Sequence, residues 1–179
     1  MSADVRVIVI SGTMGSGKTT VLAEASDILT ARGVMHAAID LDALGVAYAP
    51  DTALIDLAYR NLSSVWKNYA ALGTPRLLLA GAIESLDEFN RIRAVIPDAA
   101  LVVCRLKARL ATMEQRVSLR EPGMLHDKLV ARVADLDTIL DGARLEDFSL
   151  INDDRSVTDV ATELLTRAGW IFGTNRSQV

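Results

Sequence analysis

Residues 12–19 read Gly-Thr-Met-Gly-Ser-Gly-Lys-Thr. They match Gly-x-x-x-x-Gly-Lys-[Ser/Thr], a spacing whose chemistry is to hold the phosphates of a nucleoside triphosphate. Glycines at 12, 15 and 17 let the backbone curl so that successive N–H groups point into one concavity. That concavity opens a helix, whose dipole adds to the pull on an anion. Gly12, Thr13, Met14, Gly15, Ser16, Gly17, Lys18, Thr19 and the adjoining Thr20 form the predicted nucleotide-binding set. Lys18 supplies a point charge between the β- and γ-phosphates, and the Thr19 hydroxyl is the expected Mg²⁺ ligand.

The second chemical signal is Asp40-Leu41-Asp42. Residues i and i+2 just past a strand project to one side, so both carboxylates can face a γ-phosphate. One could hold Mg²⁺ through its water shell and the other could accept a proton from an acceptor hydroxyl. The structural alternative is an acidic cap or a solvated loop. Arg109, Arg116 and Arg120 follow on a helix-forming stretch. Arg116 and Arg120 are four apart, share a face and can converge on a polyanion, unless they form a solvated face paired to Glu114 and Glu121. Glu84 reads equally as a group near the metal or acceptor and as an early-turn helix residue. Leu54, Leu57, Ala58, Leu62, Val65, Tyr69 and Leu72 trace a helical stripe of core residues. Asn61, Trp66 and Tyr69 could line an acceptor pocket, but core is the favoured reading for the two aromatics. His36 and His126 have no partner at metal-ligating spacing.

The elements that must position these groups alternate. Apolar runs at 5–10, 34–39, 76–80, 100–104 and 148–151 read as strands, and helical patterns fall near 18–32, 52–72, 85–95, 107–120, 126–142 and 157–168. Alternation of this kind predicts an α/β fold, a parallel sheet with helices on both faces. Ser85-x-x-Glu88 and Ser156-x-x-Asp159 resemble capping boxes, and Pro122-Gly123 marks a loop or lid hinge. Ligands of such sheets gather outside the carboxyl ends of the strands, which here carry the phosphate loop, Asp40 and Asp42, Glu84, and Asn152-Asp153-Asp154. The usual Walker B strand ending in Asp is missing, because Leu77-Leu78-Leu79-Ala80 runs into Gly-Ala-Ile-Glu. An Asn-Lys-x-Asp guanine-reading motif is missing too, which disfavours GTPases and large motor ATPases.

Bulk properties narrow the setting. At 179 residues the chain reads as one domain over 1–179. A net charge of −4 gives no reason to expect a nucleic-acid partner. No apolar run reaches membrane-spanning length, no signal peptide is apparent, and the single cysteine fits a reducing cytoplasm.

The phosphate loop, Asp-x-Asp after the second strand and Arg-x-x-x-Arg after the fourth together resemble the small P-loop kinases. These include the gluconate, shikimate and adenylylsulfate kinases and chloramphenicol phosphotransferase; more narrowly the chain is similar to actinobacterial ATP-binding proteins of this group. The resemblance implies a P-loop NTPase three-layer sandwich with a five-stranded parallel sheet of order 2-3-1-4-5 and a short lid. It implies ATP and Mg²⁺, shared metal and acceptor duties for Asp40 and Asp42, and a lid position for Arg116 or Arg120. It also implies an adenine edge formed by the loop from Asn152 to Ser156. The expected activity is transfer of the γ-phosphoryl of ATP to a hydroxyl of a small molecule. Asp42 would be the base or would orient the acceptor, Asp40 and Thr19 would hold the metal, and Lys18, Arg116 and Arg120 would stabilise charge. The alternative is a nucleotide-binding regulatory or scaffold protein with little turnover. The chain carries neither a shikimate-type glycine run after strand three nor a second arginine cluster, so the acceptor stays open, as does monomer against homodimer.

Overall fold

The computed structural model describes residues 4–48 and 51–172. The elements run β1 (Arg6–Ser11), α1 (Lys18–Ala31), β2 (Ala37–Asp40), a 3-10 turn (Asp42–Gly45), α2 (Asp51–Ala71), β3 (Arg76–Ala80) and α3 (Leu86–Val95). They continue with β4 (Ala100–Lys107), α4 (Leu110–Arg120), α5 (His126–Ala143), β5 (Phe148–Ile151) and α6 (Val157–Arg167). All four strand pairings are parallel and the order is β2-β3-β1-β4-β5, as expected.

Residues 7–10 of β1 and 77–80 of β3 are all apolar because both faces of the sheet are covered there. Ile8 and Ile10 of β1 join Leu78 and Ala80 of β3 on one face, under Val21, Leu22, Ala25 and Leu29 of α1 and Val160, Leu164 and Leu165 of α6. Val7, Val9, Leu77 and Leu79 face the other way, against Tyr59, Leu62 and Trp66 of α2 and Ile92 of α3. Each fully buried aliphatic side chain contributes about 1.5–3 kcal/mol, so Ile8→Ala would cost about 2–5 kcal/mol including its cavity. Trp66 is core, as favoured, and Tyr69 packs against the same cluster. No helix among the described residues is long and apolar enough to cross a membrane.

Three boundaries lie three residues from expectation: the start of β2, the end of β4 and, following from the latter, the start of α4 at Leu110 rather than 107. Strand β2 begins at Ala37 rather than 34, because the Val34 N–H closes α1 on Leu29 and His36 is tied to Val34 and Ser26. Strand β4 runs to Lys107 rather than ending at 104. Arg105 is 2% exposed, and its guanidinium donates to the carboxylates of Asp137 and Asp141 and to the Asp137 carbonyl on α5. A charged residue inside a strand reads as a strand end until its partners are known.

Candidate functional site

The loop between β1 and α1 is built from its glycines. Gly15 and Gly17 have φ of 76° and 98°, in the left-handed region that costs any other residue strain. A Cβ on Gly15 would lie 2.4 Å from the carbonyl oxygen of Met113 in α4, and one on Gly17 would lie 2.3 Å from Nδ2 of Asn152. The loop is therefore pressed between α4 and the segment after β5, with no room for side chains at either point. Gly17 caps α1 with no side-chain hydrogen bond, and the first turn of α1 carries no acidic residue. Its N-terminal N–H groups and dipole are thus left for an anion.

The predicted loop residues divide by where their side chains go. Met14, Gly15, Gly17, Lys18, Thr19 and Thr20 line a cleft of about 310 Å³ at the carboxyl ends of β1 and β3. Thr13 turns inward and donates its hydroxyl to the Val133 carbonyl, and the Ser16 hydroxyl is buried without a partner among the described residues. Gly12 is buried, so Gly12, Thr13 and Ser16 shape the loop from beneath.

Lys18 is 8% exposed and its Nζ donates to the Thr13 carbonyl at 3.3 Å. Burial pulls its ammonium below the usual lysine range, against the attraction of Asp42 and Asp40 and with the repulsion of Arg120. The cleft therefore holds a cation short of counter-charge, which an anionic ligand would supply.

Asp40 ends β2 and Asp42 begins the 3-10 turn. Asp40 Oδ2 accepts the Thr19 hydroxyl at 2.7 Å, while its Oδ1 accepts the Asp42 N–H at 3.1 Å. One carboxylate thus turns the chain and addresses the loop, and the other lines the cleft near Lys18. Asp42 opens to solvent on the cleft side, yet the protein around it displaces enough water to raise its carboxyl above the usual range. Lys18 pulls it back down and Asp40 pushes it up. Asn61, a candidate for the wall of an acceptor pocket, donates to the Leu44 carbonyl at 2.8 Å and pins this turn.

Two oxygen donors 2.7 Å apart, Thr19 Oγ1 and Asp40 Oδ2, suit Mg²⁺, which takes one or two carboxylates and completes its shell with water and phosphate. No group of three His, Cys, Asp or Glu poised for a metal occurs among the described residues. The site fits an ion brought in with a nucleotide rather than a closed protein cage.

The two arginines expected to converge do not. Arg120 lines the cleft. Arg116 spends its guanidinium on the backbone, donating to the carbonyls of Gly15 at 3.1 Å and Asn152 at 3.0 Å. Half-buried between loop and sheet edge, it holds the loop rather than the cleft. Asn152 is likewise occupied: buried, it donates its Nδ2 to the Ser16 carbonyl at 2.7 Å. Exposed Arg109 pairs with Asp153 and Asp154, away from the cleft lining.

The cleft also contains residues the sequence did not single out. Arg132 and Leu136, one helical turn apart on α5, line it, and Arg132 donates to Glu84 at 2.8 Å. Their i, i+4 spacing within the helical pattern at 126–142 was the available signal. Glu84 precedes the Ser85 cap of α3, so it is not a first-turn helix residue; it lines the cleft, and its N–H donates to Glu88.

No protein-family model matches the chain, and no curated protein matches its sequence. Solved structures do. The adenylylsulfate (APS) kinase of Mycobacterium tuberculosis, in complex with AMPPNP and APS, superposes with a TM-score of 0.63 at 23% identity, over 90% of this chain and 96% of that one. A gluconokinase from Sinorhizobium meliloti gives 0.61 at 16% identity over 94% of each chain. The tunicamycin resistance protein of Deinococcus radiodurans gives 0.63 at 16% identity, over 93% of this chain and 97% of that one. A shikimate kinase from Acinetobacter baumannii, in complex with shikimate, is also similar, with a TM-score of 0.59 at 18% identity. With its five parallel strands in the order β2-β3-β1-β4-β5 and the glycine loop after β1, the chain has the P-loop NTPase fold of these small kinases.

Proposed function

We propose that the chain is a phosphotransferase that moves the γ-phosphoryl of ATP, with Mg²⁺, to a hydroxyl of a small molecule. The observation that carries this reading is one cleft lined by the phosphate loop, Lys18, Asp42 and Arg120 together. A loop that only bound nucleotide would not need a carboxylate of raised proton affinity facing its lysine. The shared fold with kinases for small molecules supports the same reading.

In this reading the N–H groups of the loop and Thr20 cradle the phosphates, and Lys18 bridges the β- and γ-oxygens. Thr19 and Asp40 would hold Mg²⁺, which when bound neutralises charge on the phosphate oxygens. Asp42 takes the proton of the acceptor hydroxyl as its oxygen bonds to the γ-phosphorus and the bond to the β,γ-bridging oxygen breaks, with ADP leaving. Arg120 stabilises the charge that develops on the transferred group. Arg116 and Asn152 act at one remove, by fixing the loop.

The test is ADP release against a panel of hydroxylated metabolites and antibiotics, with Lys18→Ala as control. Acceptor-dependent release that Lys18→Ala abolishes is the expected result. Binding of Mg·ATP with no acceptor-dependent turnover across the panel would favour a nucleotide-binding regulator instead. Failure to bind Mg·ATP would defeat the proposal at its first step.

A further inference from the structure

Beside the cleft lies a second cavity of about 240 Å³, which shares Asp42 and Glu84 with it. A molecule seated there meets the phosphate loop across Asp42, as an acceptor must. Its walls are apolar on one side, with Leu54 and the Tyr59 ring, and its charged groups are Asp42, Glu84 and Glu88. No Lys, Arg or His lines it among the described residues. Residues 49–53 include none in the sequence either.

The nearby cations are committed elsewhere. Arg132 is bound to Glu84 from the cleft side, and Arg91 pairs with Asp56 and lies over the Tyr59 ring at 5.6 Å. Lys18 and Arg120 line the phosphate side alone. An acidic acceptor would set its charge beside three carboxylates with no cation to receive it. A cationic one meets the opposite situation. Half-buried Glu88 is raised above the usual carboxyl range by its burial and by the Glu84 charge, against the Glu84 N–H and Arg91, and a cation in the cavity would be drawn by all three carboxylates that line it.

Resting on the phosphotransferase reading, we infer that the acceptor is a hydroxylated amine: a positively charged nitrogen and a hydroxyl carried on an apolar or aromatic body. The amine sits among Asp42, Glu84 and Glu88, the body lies against Leu54 and Tyr59, and the hydroxyl points past Asp42 to the γ-phosphate.

Three matched probes separate charge from shape: 2-amino-1-phenylethanol, 1-phenylethane-1,2-diol and mandelate, which are cationic, neutral and anionic on one skeleton. Each is titrated calorimetrically into the full chain saturated with Mg²⁺ and a non-hydrolysable ATP analogue. The amine is expected to bind about tenfold more tightly than the diol, and mandelate most weakly. Glu88→Gln keeps an amide oxygen for the cap on α3 while removing the charge. It should cut the amine-to-diol ratio to about threefold or less and leave analogue affinity unchanged. Equal or tighter binding of mandelate, no preference for the amine (including no binding by any probe), or a full ratio in Glu88→Gln would each overturn the inference. Analogue binding is measured first and tells the two readings apart. Its absence defeats the phosphotransferase and this inference with it, whereas its presence without an amine preference defeats this inference alone.

Discussion

Asn152, at the end of β5, donates its side-chain amide to the carbonyl of Ser16 at 2.7 Å, a bond between residues 136 apart in the chain. Its own backbone carbonyl accepts from Arg116, whose other donor reaches Gly15. The phosphate loop is therefore clamped from outside by one asparagine and one arginine, and its glycines are small because the clamp is close. Pre-organisation of this kind reduces the ordering cost of binding an anion.

Asn152→Ala should therefore weaken both the fold and the site. Loss of one buried amide–carbonyl bond costs about 1–3 kcal/mol, visible in urea unfolding. The affinity for Mg·ATP should fall in parallel, because the loop loses a support and no contact to the nucleotide is removed directly. A variant with reduced stability and unaltered Mg·ATP affinity would show that the clamp serves the fold alone.

The bond from Thr19 to Asp40 leads to a different expectation. In Asp40→Asn an amide oxygen can still accept from Thr19 or from the Asp42 N–H, so the turn after β2 survives. The charge that suits a divalent cation is lost. Half-saturation by Mg²⁺ should rise about tenfold or more, with thermal stability little changed. Turnover measured across a Mg²⁺ series reads this directly. An unchanged Mg²⁺ requirement would remove Asp40 from the metal site.

Asp42 gives a prediction in pH. Its carboxyl is raised, chiefly by burial, and it must be ionised to take a proton. The acid limb of kcat/KM should therefore lie above the usual carboxylate pKa of about 4, with activity falling as pH drops through the raised value. Stability runs the other way. The folded state binds this proton more tightly than the unfolded chain, so the contribution of Asp42 is most favourable at low pH and declines as pH rises through the window between the two values. Asp42→Asn should thus be inactive yet slightly more stable at neutral pH, by no more than about 1 kcal/mol given how open the group is to solvent. A limb at the ordinary carboxylate position, or a destabilised variant, would contradict this.

The parts of the site legible in the sequence share one property: their geometry is local. The glycine loop, Lys18, Thr19 and the Asp40–Asp42 pair are each set by a few neighbouring residues and by the rule that places ligands at strand ends. The strand order came from the resemblance to small kinases, which in turn rested on these motifs. What could not be read is set by contacts across long separations. Arg105 passed for a strand end because its carboxylate partners lie on α5, more than 30 residues later. Arg116 passed for a phosphate ligand because helix periodicity gives a face but not its neighbour, and the neighbours are backbone carbonyls on two other segments. Arg132 was missed because nothing near it in sequence shows that α5 reaches Glu84.

The separation of the two lid arginines is the sharpest consequence of that difference. Arg120 lines the cleft, is exposed, and among the described residues pairs only with the adjoining Glu121. Arg120→Ala should lower kcat by about 10²–10³ with little effect on unfolding, as expected for a cation that acts on charge developing in the transition state. Arg116 donates two hydrogen bonds to carbonyls in a fixed fork, which a lysine cannot reproduce. Arg116→Lys should therefore lower the melting temperature and raise KM for ATP, with a smaller effect on kcat than Arg120→Ala. Steady-state kinetics on both variants, beside their melting curves, decide the matter. If Arg116→Lys instead loses kcat with KM and stability intact, Arg116 leaves its carbonyls when nucleotide binds and belongs with the groups that touch phosphate.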